Sequence, residues 1–179
     1  MMRFLCTFSS SSAAPKFNIV LFQPRIPNNT GVIGRTCSLS GCRLHLIHPL
    51  GFSLDEKARR RAGLDYWDQL DVHEHEDWCA YLRAAQPKRV WLYTTAAERL
   101  HWDAQLEEGD HLLFGNETHG TPEWIKVWLK KRYHDDHTVR LPMQPRPDGE
   151  TRSYNLANAV SCAVMEGLRQ IDAATPPAA

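Results

Sequence analysis

The strongest constraint on this chain's fold is that its apolar residues come in short runs, each stopped by proline, glycine or a polar turn. "FNIVLF" (17–22) ends at Pro24 and has the continuous pattern of a buried parallel strand rather than the alternation of one with a wet face. "RLHLI" (43–47), stopped by Pro49 and Gly51, "RVWLYTT" (89–95), "DHLLFG" (110–115) and "HTVRLPM" (137–143) read as further strands. Helical stretches fall between them. Thr30 through Ser40 is predicted helical, with Asn29 or Thr30 as N-cap and Gly41 at C′. "DEKARRRAG" (55–63) reads as a short, strongly basic helix closed by Gly63, and "DWCAYLRAAQ" (77–86) as another. Pro122 opens "PEWIKVWLKKR", where Trp124, Ile125, Trp128 and Leu129 share one face, turned to the sheet. In "YNLANAVSCAVMEGLRQI" (154–171) Leu156, Val160, Ala163, Val164 and Leu168 form one stripe of a long helix, and Cys162 is expected in the core. The alternation implies an α/β domain with a mostly parallel sheet and helices on both faces.

A chain of 179 residues suits one such domain. We place it at residues 17–170, between a disordered leader (1–16) and a flexible tail (171–179). The leader's single Arg, short apolar patch and serine run also allow a weak export or transit signal, although the patch is too short for an ordinary one. Lys+Arg and Asp+Glu both number 21, so any nucleic-acid-binding surface must be a local patch. The five cysteines are odd in number and lack CxxC pairing, which implies reduced thiols and a cytoplasmic protein. No apolar stretch reaches the roughly 18 residues that span a bilayer, so no membrane association is expected.

In parallel sheets ligands collect where strands end at their carboxyl side. The loops there, "QPRIPNNTG", "YTTAAE", "GNETHG" and "MQPRPDGETRSYN", are rich in Gly, Pro, Asn and Thr and can offer bare backbone to a nucleotide-like ligand. "LLFGNETHG" (112–120) sets a carboxylate, Glu117, between two glycines. Neither GxGxxG nor GxxxxGK[ST] occurs, so nothing positive points to a dinucleotide site or a P-loop.

"NNTGVIGRT" after the first strand, "LLFGNETHG", and "LPM" followed by "SYNLANAVSCAVMEGLRQ" resemble, in order, the three motifs of the SPOUT superfamily of S-adenosylmethionine-dependent RNA methyltransferases. The likeness runs from about Phe17 to Gln170, and "RRAGLDYWDQLDVHEH" is most similar to the small tRNA wobble-nucleotide 2′-O-methyltransferases. The resemblance implies a C-terminal trefoil knot, a homodimer, S-adenosyl-L-methionine as cofactor and the ribose 2′-hydroxyl of tRNA nucleotide 34, in the anticodon stem-loop, as acceptor. It leaves open another tRNA or rRNA position, or a non-catalytic RNA- or adenosine-binding module on the same scaffold. By position, Tyr93, Thr94, Gly115, Leu141 and Met143 match cofactor-contacting segments, as do Ser153, Asn155 and Leu156. In this reading Gly115 makes room for the adenosine, and Ser153 or Asn155 caps the last helix. The catalytic residues implied are Arg35, Asn29 and Glu117, with Glu117 orienting the arginine or the cofactor's cationic end. A guanidinium hardly ever deprotonates, so Arg35 is read as clamping the phosphate beside the target ribose, with phosphate or water taking the proton.

RNA contacts are expected from Arg59, Arg60 and Arg61 of the basic helix, from Arg152 in the loop that also carries Arg146, and from His119. His119 departs from the family's usual arginine, and Asn116 from its usual proline. Blander readings exist for each feature: Arg35 and "EKARRR" as solvated charges, and Trp124 and Trp128 as packing rather than base-stacking residues. His73, His75 and Cys79 invite a metal reading, but they sit in what reads as a charged, amphipathic helix start without a fourth ligand at zinc spacing, so no metal is expected.

Overall fold

The computed structural model describes residues 14–54, 67, 70–133, 137–144 and 153–174. Six strands form one all-parallel sheet: β1 (Asn18–Phe22), β2 (Arg43–Ile47), β3 (Val72–His75), β4 (Val90–Tyr93), β5 (His111–Phe114) and β6 (Thr138–Val139). Their spatial order is β3-β2-β1-β5-β4-β6. Four described helices join them: α1 (Pro27–Ser40), α2 (Trp78–Ala85), α3 (Glu123–Arg132) and α4 (Leu156–Ala174).

The central strands bury both faces, as their uninterrupted apolar runs predict. Along β1, Ile19 and Leu21 join a core with Ile33 and Cys37 of α1 and Val160, Ala163 and Val164 of α4. Val20 and Phe22 face a second core with Trp78 and Tyr81 of α2 and Ile125 and Leu129 of α3. Helices therefore cover both faces of the sheet.

Four local expectations are corrected. Helix α1 starts at Pro27, with Ile26 as N-cap and proline in the first turn, so Asn29 lies inside the helix and is not its cap. The "VHEH" stretch is an edge strand, pairing Leu44 with Val72 through Ile47 with His75; helix begins only after Asp77, whose carboxylate accepts from Ala80 N at 2.7 Å. Its alternation points His73 and His75 to one side, where both rings meet that of His45. Cys162 is exposed on α4. Of the four residues assigned to the sheet-facing side of α3, Ile125 and Leu129 are buried, while Trp124 is 52% exposed. The proposed basic helix, residues 1–13 and the tail from 175 on lie outside the described residues.

Candidate active site

The carboxyl ends of β1, β4 and β5 open into a cavity of about 560 Å³, within the range of small-molecule sites. Every cofactor residue named from the sequence lines it: Tyr93 at the end of β4 and Thr94 after it, Gly115 after β5, Leu141 and Met143 after β6, and Ser153, Asn155 and Leu156 at the start of α4. Asn29, Glu117 and His119 line it as well. Arg35 does not; it is exposed on α1. Arg59, Arg60, Arg61, Arg146 and Arg152 fall outside the described residues.

Glu117 ties this end of the sheet together. Its Oε2 accepts from Arg25 N at 2.8 Å, and its Oε1 accepts from Ile26 N at 3.2 Å and Asn29 Nδ2 at 3.0 Å. The β1 and β5 loops, which leave neighbouring strands of the sheet, are thus joined by one carboxylate. Asn29 passes the link on: its Oδ1 accepts from Asn155 Nδ2 at 2.9 Å. Asn155 Oδ1 in turn accepts from Ala157 N at 2.9 Å and caps α4, as the sequence predicts. Three motifs distant in sequence thereby form one hydrogen-bonded chain, and the carboxylate's observed partners are two main-chain amides of the first loop and the side-chain amide of Asn29 in the first turn of α1.

The loop after β5 closes on itself. Asn116 and Gly120 exchange backbone hydrogen bonds at 3.2 and 3.0 Å, and Asn116 Oδ1 accepts from the amides of Thr118 and His119 at 3.0 and 2.7 Å. Gly120 sits at φ +66°, which glycine adopts freely. A Cβ on Gly115 would lie 2.1 Å from the Gly120 carbonyl carbon and 2.4 Å from Thr121 N. Gly115 is therefore required first by the closure of its own loop. Asn116 supplies the turn's acceptor.

The cavity floor is apolar. Tyr93 stacks on Phe114 with centroids 4.8 Å apart, and Leu141, Leu156 and Ala159 continue the surface. The hydroxyls of Tyr93 and Thr121 are buried without a hydrogen-bond partner among the described residues. Burial pushes the Tyr93 phenol well above its usual range, so it stays a neutral donor. An apolar shelf of this kind suits the flat ring of a ligand such as an adenosine. Thr121 and Lys126, both lining the cavity, are absent from the sequence-based set. Thr121 directly follows the "GNETHG" motif, but an orphaned hydroxyl emerges only from burial.

A protein-family comparison matches residues 16–165 to the SpoU rRNA Methylase family. The chain belongs to that family. It is 46% identical over 155 residues to a tRNA (cytidine(34)-2′-O)-methyltransferase of Saccharophagus degradans, covering 87% of this chain and 96% of the relative. A solved structure bearing on the 2-OH methylation of C/U34 on tRNA is similar at 40% identity with a TM-score of 0.74, over 88% of this chain and 97% of that one. The SpoU methyltransferase AviRb from Streptomyces viridochromogenes, solved with AdoMet, shares the fold at 23% identity and a TM-score of 0.68, over 89% of this chain and 60% of that one. Among the described residues no helix is long and apolar enough to cross a membrane, and no group of three His, Cys, Asp or Glu is arranged to hold a metal ion.

Proposed function

We propose that the chain methylates the ribose 2′-hydroxyl of the tRNA wobble nucleotide, cytidine or uridine 34, using S-adenosyl-L-methionine. The observation that carries this reading is the convergence of the three motifs on one cavity, linked through Glu117, Asn29 and Asn155. The relatives named above support the substrate. S-adenosyl-L-methionine supplies an electrophilic methyl group on a sulfonium. The protein's part is then mainly positional, since transfer needs in-line approach of the 2′-oxygen. Tyr93, Leu141 and Leu156 give the adenine an apolar seat. Thr94, Gly115, Met143, Ser153 and Asn155 complete the wall. Glu117 and Asn29 fix the first loop against the second. The proton leaves to phosphate or water, because a guanidinium is a poor base.

In this proposal the working unit is a cytoplasmic homodimer with a C-terminal trefoil knot in a single 17–170 domain, acting on the anticodon stem-loop without metal. The exposed faces of α1 and α4 support the dimer. Val32, Leu39 and Met165 are 52, 84 and 56% exposed, and Cys162 lies among them. The two helices are joined by Thr36 and Ser161, whose hydroxyls are 3.2 Å apart. Arg35 is three residues from Val32 and four from Leu39, on that same stripe. Its absence from the cavity wall of its own chain fits a site shared between two copies. Arg59, Arg60, Arg61, Arg152 and His119 then hold RNA. Ribose-methylation mapping of bulk tRNA from cells with and without the gene tests the reading; an unchanged nucleotide 34 refutes the wobble assignment, and methylation lost elsewhere reassigns the target.

A further inference from the structure

Helix α3 leaves the cavity carrying more positive charge than any other described helix. Lys126, Lys130, Lys131 and Arg132 stand against one carboxylate, Glu123, although the whole chain has zero net charge. Its buried side, Ile125 and Leu129, is seated on the sheet. The opposite side presents Trp124, Val127, Lys130 and Lys131 to solvent, with Trp124 and Val127 still 52 and 45% exposed. Lys126 is at the cavity end, lining the pocket while its ammonium rests 3.0 Å from Glu123. Four residues on, about 6 Å along the axis, comes Lys130, so the positive charge runs outward from the rim.

Trp124 adds a second observation. It is held edge-on by Phe22 and Trp78, with centroids at 6.2 and 6.3 Å, so a large aromatic surface stays fixed beside the lysines and open to solvent. Fixed aromatic faces next to cations are what stacking and phosphate neutralisation require.

We infer that the exposed side of α3 is an RNA-docking surface. Lys130 and Lys131 neutralise phosphates of the strand entering the cavity, Lys126 receives the phosphate nearest the rim, and Trp124 packs on an adjoining base or ribose. The inference rests on the RNA-methylating reading above and adds to it a surface outside the three motifs. The test measures tRNA affinity against salt concentration for the full chain and for Lys130→Gln/Lys131→Gln and Trp124→Ala. The double variant is expected to flatten the log–log salt slope by roughly 1.4, about 0.7 for each single-strand phosphate no longer neutralised. Trp124→Ala is expected to weaken binding several-fold while leaving the slope unchanged. Calorimetric affinity for S-adenosylmethionine is expected to equal that of the unsubstituted protein in both. An unchanged slope and affinity in the double variant overturns the inference while tRNA methylation by the unsubstituted protein leaves the functional reading standing. A change in sedimentation with the RNA slope intact also overturns it, because the face then serves self-association. Failure of the unsubstituted protein to bind tRNA at all overturns both.

Discussion

Acid should destabilise this protein through a buried histidine cluster remote from the site. His45, His75 and His111 are only 3, 6 and 5% exposed. Asn18 Nδ2 donates to Gly109 O at 3.0 Å, so its Oδ1 must accept from His45 Nε2, 3.1 Å away. Neutral His45 then accepts at Nδ1 from His75 Nε2 at 2.9 Å. Tyr81 of α2 meets His111 Nδ1 at 2.7 Å, and His73 and Arg43 lie beside the cluster on β3 and β2. Burial first, then the neighbouring His111, His75, His73 and Arg43, pull His45 down to about 2; burial and then Arg43 pull His111 to about 4, and burial and then His73 lower His75. A depressed histidine contributes stability that is fully present above the unfolded-state value near 6.5 and is lost as pH falls towards the folded-state value. At pH 5 the unfolded chain has bound nearly one proton at each of His45 and His111 and the native state almost none. The loss relative to pH 7.5 is then about 2 kcal/mol each for His45 and His111, or about 4 kcal/mol together, a large part of a domain's stability. Asp110, which burial raises, works with the opposite sign. Urea unfolding followed by tryptophan fluorescence, at fixed protein concentration, should show the midpoint falling by about 2 M between pH 7.5 and 5 for an m-value near 2 kcal/mol/M. His111→Phe should roughly halve that fall. A midpoint flat across the window would refute the reasoning.

Gly115→Ala should lower calorimetric affinity for S-adenosylmethionine by roughly tenfold or more and lower the melting temperature with it, because the added methyl forces the Asn116–Gly120 pair apart. Glu117→Gln leaves the amides of Arg25, Ile26 and Asn29 competing for one carbonyl oxygen and should cost about 1–3 kcal/mol in urea unfolding. Arg35→Ala should preserve cofactor affinity and slow single-turnover methylation by orders of magnitude even at saturating tRNA, whereas alanines at Arg59, Arg60 and Arg61 should be rescued by it. Leu39→Lys, a substitution at an 84% exposed position on α1, should yield monomers in sedimentation at micromolar concentration.

Most of the architecture was legible because burial on both sides of a strand leaves a plain trace. "FNIVLF" and "HLLF" have no polar alternation to conceal, and Gly41 marks the end of α1 in the left-handed region at φ +67°. β3 was not legible: "VHEH" is short, charged and close to a strong helix cap at Asp77, and its strand identity comes from pairing with β2. Propensity over four residues is weaker than an available sheet edge. Trp124 and Cys162 were misplaced for another reason. Helical periodicity selects a face without saying what covers it, and both residues look outward on helices whose inner sides are already filled.

At the site, the motifs located the residues but not their tasks. Glu117 and Gly115 stand two apart in "GNE", which suggests an acid and a bare backbone presented together to a ligand. In the fold, each answers first to the protein. The carboxylate meets two amide N–H groups left open before α1, donors that every sequence contains and none displays. The glycine's missing Cβ clears the backbone of Gly120, five residues on and invisible until the loop is closed. The same atoms shape the ligand's cavity, so loop order and binding should be lost together when either is changed. Arg35 differs, because it forms no part of its own chain's cavity wall. A variant there can separate chemistry from architecture, which substitutions at Gly115 or Glu117 cannot.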